Sequence, residues 1–189
     1  MDEADIRKDL NHTIFLAYGT ARIFDKRMRA LDWKRKTVTF LGVLVPLMIG
    51  GSALSFGLSA AFLPILITIA GILTLIQLAF SLWSLVAGWD RSYSDCIASV
   101  KENTSIYNQA EKIVKKIGHI DKSLLESLYE ELKEKYERRE QGDLSLVVND
   151  KELRFANRMA CFHYKKECHI CKKVPAALKA GNCDGCGNY

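Results

Sequence analysis

TVTFLGVLVPLMIGGSALSFGLSAAFLPILITIAGILTLIQLAFSLWSLVAGW, residues Thr37 to Trp89, contains no Asp, Glu, Lys, Arg or His. Its 53 residues are too many for one membrane helix, which needs about 20 apolar residues. They suit two helices and a tight turn: Thr37–Ser55 inward, a turn at Phe56–Ser59, and Ala60–Trp89 returning. In lipid each backbone N–H and C=O must be satisfied internally, so the spans read as helices. A buried hairpin in a soluble domain is the alternative. It fails because the remaining chain is too small and too charged to surround one.

The flanks are sharply different from this stretch. Residues 1–36 carry nine Lys/Arg and six Asp/Glu, residues 90–150 ten and thirteen, and residues 151–189 eight and three. The near-neutral mean hydropathy of the chain averages over that segregation. No secretory signal is apparent, because the first apolar run follows a charged segment of 36 residues and exceeds a signal-peptide core. Lys26, Arg27, Arg29, Lys34, Arg35 and Lys36 precede the first span and Arg91 follows the second. The turn is uncharged. The positive-inside rule therefore places both termini in the cytoplasm, and Trp33, Trp83 and Trp89 fall near the inner boundary.

Outside the hairpin the periodicity is helical. Leu10, Ile14, Ala17, Ala21, Phe24, Met28 and Leu31 step by four and three, a heptad seam through three heptads. A helix lying flat on lipid is the alternative use of such a stripe. The paired reading is preferred because a similar seam returns after Trp89 at Tyr93, Ile97, Val100, Tyr107, Ala110, Val114 and Ile117. Two matching stripes bury each other, and wider ones recruit further copies, which predicts a cytosolic helical stalk and a homo-oligomer. Gly118 suits the end of the second stripe. Ser123 and Glu126 match a capping box opening a third helix to about Arg139, broken at Gln141-Gly142-Asp143. Leu144–Val148 reads as a strand or a packed connector, and Asn149 or Asp150 starts another amphipathic helix.

Within the hairpin, Pro46 removes a backbone hydrogen bond and predicts a kink. Ala53, Gly57 and Ala61, and Ser84 and Gly88, are small residues spaced by four, a pattern that permits close helix approach. Gln77, with Thr68 and Thr74 nearby, is the polar group deepest in the second span. It reads as lining a pore or as bonding to a neighbouring helix.

The chemistry sits in the tail. Cys168-His-Ile-Cys171 is followed after eleven residues by Cys183-Asp-Gly-Cys186. Each pair presents two thiolates to one metal, and four thiolates at about 2.3 Å complete a closed tetrahedral structural zinc site. Gly185 and Gly187 suit the cramped backbone there. Disulfides compete, but a cytoplasmic tail argues against them. Cys96 and Cys161 read as core thiols, and His163 and His169 as superfluous ligands. Lys165, Lys166, Lys172, Lys173 and Lys179 surround the module. A four-thiolate zinc centre is formally doubly negative, so these lysines offset its charge, and nucleic acid is not the expected partner. No Walker loop, nucleophile elbow, HExxH or kinase signature is present, and nothing positive points to an enzyme.

The basic helix ending Trp33-Lys-Arg-Lys36, the two-span hairpin, Trp89-Asp-Arg-Ser-Tyr93 and a long cytosolic helix together resemble a SLATT domain over residues 10–140. The tail resembles that of small bacterial proteins of the mobile gene pool with CxxC-x11-CxxC spacing. The resemblance implies a membrane effector in anti-phage or conflict systems, placed in the bacterial inner membrane. Such an effector assembles and breaches the bilayer when an upstream sensor or a signal nucleotide triggers it.

The expected protein is thus an all-α membrane protein. It has an amphipathic cytosolic helix (1–36), a transmembrane hairpin (37–89), a cytosolic helical region (90–149) and a helix with a small four-cysteine zinc module (150–189). Leu10, Ile14, Ala17, Ala21, Phe24, Met28, Leu31, Tyr93, Ile97 and Val100 form its oligomerisation seam, and Pro46 and Gln77 mark a pore or helix interface. The rival expectation is a membrane-anchored adaptor whose zinc module docks a protein or nucleic acid. A holin-like hairpin is a third, less suited to so elaborate a cytosolic region.

Overall fold

The computed structural model describes residues 2–56 and 63–189. Among the described residues there are five helices and no strand: α1 Glu3–Phe56, α2 Leu63–Val86, α3 Trp89–Lys116, α4 Lys122–Leu144 and α5 Asp150–Tyr164. The expected turn at Phe56–Ser59 falls, beyond Phe56 itself, outside the described residues, as do Gly57 and Ala61. The chain divides into two compact units, residues 27–95 and residues 1–26 with 96–189. The divisions fall inside α1 and α3 rather than at the expected 36/37 and 89/90.

The larger unit is built on the seam of α1. Ile6, Leu10, Ile14 and Ala17 share one core with Ile106, Ala110 and Ile113 of α3, Ile117 just beyond it, and Leu125, Tyr129 and Leu132 of α4. Ala21 and Phe24 are also buried. The seam residues Leu10, Ile14, Ala17, Ala21 and Phe24 are therefore consumed within one chain, whereas Met28 and Leu31 in the other unit are half-buried. Burial of this size explains why a helix with so many charges is stable: each fully buried Leu or Ile contributes roughly 1.5–3 kcal/mol.

The register of α3 differs from the expected stripe. Cys96, Ser99, Asn103, Ile106, Ala110 and Ile113 are buried, while Ile97 is 40% exposed and Tyr93 and Val100 are half-exposed. The physical reason is polar. The Asn103 amide donates to the Ser99 carbonyl at 3.1 Å and to Asp143 Oδ2 at 2.8 Å. Asp143 also accepts from Arg139, which donates to Glu102 at 3.2 Å. A satisfied buried network outweighs the burial of two aliphatic side chains, and counting apolar residues alone cannot see it.

The same network corrects the third helix. α4 runs through Gln141-Gly142-Asp143 to Leu144, because the Arg139–Asp143 pair ties its last turn. Its N-cap is Asp121, and the Leu125 N–H already bonds the Asp121 carbonyl at 3.0 Å. Ser123 is thus inside the helix and makes no capping box. That motif occurs instead at α5, where Asn149 accepts from the Glu152 N–H and Glu152 accepts from the Asn149 N–H, both at 3.0 Å. Leu144–Val148 is the end of α4 and a turn, not a strand.

α5 meets α1 at Gly19, where an added β-carbon would lie 3.2 Å from the Ala156 β-carbon and carbonyl oxygen. Tyr18 stacks on His163 beside this contact, at 4.4 Å between ring centroids.

In the smaller unit, α1 continues unbroken through Pro46 and lies alongside α2. Val45 and Ala70 are buried and share an apolar cavity of about 310 Å³ with Met48, Ile65, Leu66, Ile69 and Leu73. Thr68 and Thr74 donate their hydroxyls to their own helix, at Pro64 and Ala70. α2 ends at Val86, short of the expected Trp89. Gly88 turns the chain with φ of +61°, a left-handed conformation that favours glycine. Gly88 is therefore a corner beyond the end of α2, so it does not share a helix face with Ser84 as the spacing by four implies. At the base of this unit Arg35 pairs with Asp90 at 2.5 Å and Lys36 with Asp32 at 2.7 Å.

Among the described residues one helix, Pro64–Val86, is long and apolar enough to cross a membrane, and 6% of its apolar window is buried.

Candidate metal centre

The site is assembled by two backbone knuckles and one helix. In the first knuckle the Lys172 N–H closes onto the Cys168 carbonyl at 2.9 Å. In the second the Gly187 N–H closes onto the Cys183 carbonyl at 2.6 Å. In each, the residue just after the second cysteine bonds the carbonyl of the first, so both thiols point to one side. Lys172 takes a left-handed φ of +54° to make its turn. The glycines of the second knuckle answer to space. A β-carbon on Gly185 would sit 2.9 Å from the Ile170 side chain and 3.1 Å from Cys168 Sγ, and one on Gly187 would run into the Gly181 carbonyl.

The knuckles bring Cys168, Cys171, Cys183 and Cys186 together, with all four sulfurs within 4.8 Å of one another. Cys168 and Cys183 are 4.0 Å apart, and Cys171 and Cys186 are 3.9 Å apart. A tetrahedral metal with four sulfurs at about 2.3 Å requires edges of about 3.8 Å, so these residues fit one ion with only small adjustment. Cys168 and Cys186 are buried and the other two half-buried, which closes the site against a solvent ligand.

The polarity around the sulfurs is asymmetric. N–H groups of Gly185 and Cys186 stabilise the Cys183 thiolate and pull its pKa down to about 7, the Gly185 N–H lying 3.3 Å from the sulfur. Burial pushes Cys186 up to about 12.

α5 supplies an outer shell that the spacing of cysteines does not announce. Asn157 Nδ2 donates to the Gly185 carbonyl at 2.6 Å and lies 3.8 Å from Cys168 Sγ. Arg158 donates to the carbonyls of Cys186 at 3.1 Å and Ala177 at 2.9 Å, with Nη1 4.0 Å from Cys186 Sγ. Arg154 donates to the Asn188 carbonyl at 3.2 Å. The i, i+3, i+4 spacing of 154, 157 and 158 on an amphipathic helix is the available signal. Cys161, on the same helix, is buried against the cluster with its pKa raised to about 11 by burial. It donates to Asn157 at 3.5 Å.

A family model described as the mobilome CxxCx(11)CxxC protein matches residues 7–189. The chain belongs to this family. The defining cysteines of the family's name are the four that converge here. No curated protein and no solved structure matches the chain.

The other sequence-derived positions lie elsewhere. Gln77 is half-buried at the contact of α1 and α2, and Pro46 is exposed. The seam of α1 is interior from Leu10 to Phe24. Tyr93 lies under the Arg35 guanidinium, 4.3 Å from its ring centroid.

Proposed function

We propose that this mobilome protein is a two-span effector of the bacterial inner membrane, with both termini cytoplasmic, whose assembled hairpins breach the bilayer. One observation carries the reading: an apolar helix of 23 residues of which only 6% of the most apolar window is buried, with Ile65, Leu75 and Leu85 each about two-thirds exposed. A core helix of a soluble domain would be wrapped, and an exposed apolar face of this extent is a membrane or assembly surface. The charge-free α1 segment after Lys36 lies beside it and supplies the second span. Its outward Phe40, Val43 and Leu47 are as exposed as the residues of α2.

Zinc is the metal of the four-cysteine centre, and its role is structural. Four cysteines leave no open position, and zinc accepts a closed thiolate tetrahedron without redox chemistry. The ion joins the two knuckles of the tail to each other, Asn157 and Arg158 tie the second knuckle to α5, and α5 packs on α1 through Gly19. The resemblance of residues 10–140 to SLATT domains supports an effector gated by its cytosolic region.

One hairpin cannot enclose a channel, so several copies must meet. The α1 seam is occupied within the protomer, which leaves the apolar faces of α1 beyond Lys36 and of α2 for assembly. The test is conductance of lipid bilayers containing the zinc-loaded oligomer.

A further inference from the structure

A cleft stands beside the metal centre. Lys8, Asn11, His12 and Phe15 fall at i, i+3, i+4 and i+7 of α1 and line one flank of the buried seam. Opposite them stand Asn157 of α5 and the segment Lys166-Glu167 with His169, leading into the first knuckle. Together they line an open cleft of about 470 Å³, with Lys8, His12, Lys166 and His169 exposed to solvent. Its far wall is fixed: the Lys166 N–H bonds the Cys161 carbonyl at 3.0 Å, and the Cys168 N–H bonds the Lys173 carbonyl at 3.1 Å.

The lining is rich in hydrogen-bond donors. Two ammonium groups, two imidazoles and the Asn11 carboxamide line it beside a single carboxylate, while the Asn157 amide is already engaged with the Gly185 carbonyl. Among the described residues, neither Lys8 nor Lys166 is held in an ion pair. Lys166 Nζ instead lies 5.6 Å from the centroid of the Phe15 ring, so cationic and aromatic surfaces adjoin. Charged donors of this kind favour an anion with several acceptor oxygens. The volume lies in the range of small-molecule pockets, roughly 300–1,000 Å³, and exceeds what a bare phosphate fills.

The geometry points to a binding site for a small phosphate ester, its phosphate held by Lys8 and Lys166 and its organic part against Phe15. The site belongs to the metal-bearing unit and does not depend on the hairpin conducting.

The experiment is calorimetric titration of the zinc-loaded full chain, in detergent, with inorganic phosphate, phenyl phosphate and phenol. Phenyl phosphate should bind about tenfold more tightly than inorganic phosphate, and phenol not at all. Lys8→Ala and Lys166→Ala should each weaken phenyl phosphate about tenfold, with Lys166→Arg restoring most of it and zinc content unchanged. Phe15→Leu should remove the preference for the phenyl ester. Competition by short-chain phosphatidic acid would assign the same phosphate chemistry to a lipid headgroup, and its failure to compete would assign it to a soluble ester. Absence of binding, or equal binding by wild type and both alanine variants, would overturn the assignment.

Discussion

Gln77 Nε2 lies 2.7 Å from the position that a β-carbon would take on Gly42. The relation has a backbone logic. Pro46 lacks the N–H that would bond the carbonyl four residues earlier, which is that of Gly42. A proline that frees an acceptor, a glycine that permits close approach and a polar side chain thus occur at one level of the α1–α2 contact.

Substitution at Gly42 should therefore grade with size. Gly42→Ala displaces only the flexible end of Gln77 and should be nearly neutral. Gly42→Leu must push the helices apart and should cost about 1–3 kcal/mol. Unfolding in mixed micelles measures both, and an unaltered Gly42→Leu variant would show that the two helices do not depend on this contact.

Each of Cys168→Ser, Cys171→Ser, Cys183→Ser and Cys186→Ser should lose the bound metal. Cys161→Ser should retain it, since its thiol is packed against the cluster without being one of the four. Metal-to-protein ratios after dialysis read the difference directly. Chelation should also loosen the tail, because structural zinc sites contribute on the order of 10 kcal/mol to the fold they close.

Arg158 should act on metal affinity without touching the metal. Its guanidinium spans the carbonyls of Cys186 and Ala177, holding the second knuckle to α5 and offsetting thiolate charge. Arg158→Ala should weaken the metal about 10–100-fold in chelator competition, as outer-shell losses do. Arg158→Lys should recover part of the charge effect but not the two-carbonyl bridge.

Tyr129 links α4 to α1 by donating to Asp9 Oδ2 at 2.6 Å. Burial and then this bond raise its pKa from 10.0 to about 12. The folded state holds the phenolic proton more tightly than the unfolded chain. Its contribution is complete below pH 10 and is lost as pH rises through about 12. Tyr129→Phe should cost about 1.5–3 kcal/mol at neutral pH and flatten the alkaline fall in thermal midpoint. An equally steep fall in the variant would place the titration elsewhere.

The metal-centre cysteines and the α1 seam were legible in the sequence, because ligand spacing and apolar periodicity are direct images of the contacts they make. The first half of α3 was not. Ser99 and Asn103 lie off the apolar stripe of Tyr93, Ile97 and Val100, and the partners that make their burial favourable are each other and Asp143, forty residues beyond Asn103. The ends of α4 were misread for a related reason: Gly142 is a local breaker, but Arg139 and Asp143 clamp across it. Asn157 and Arg158 escaped notice because their partners are backbone carbonyls, which leave no mark in a sequence.

A breached bilayer conducts, and current across planar bilayers reads that event without an intermediary. The zinc-loaded full chain, with insertion and oligomers verified, should give discrete current steps. Gly42→Leu should reduce or abolish them through its displacement of α1 from α2. Silent bilayers under those verified conditions would contradict a membrane-breaching effector and favour the membrane-anchored adaptor.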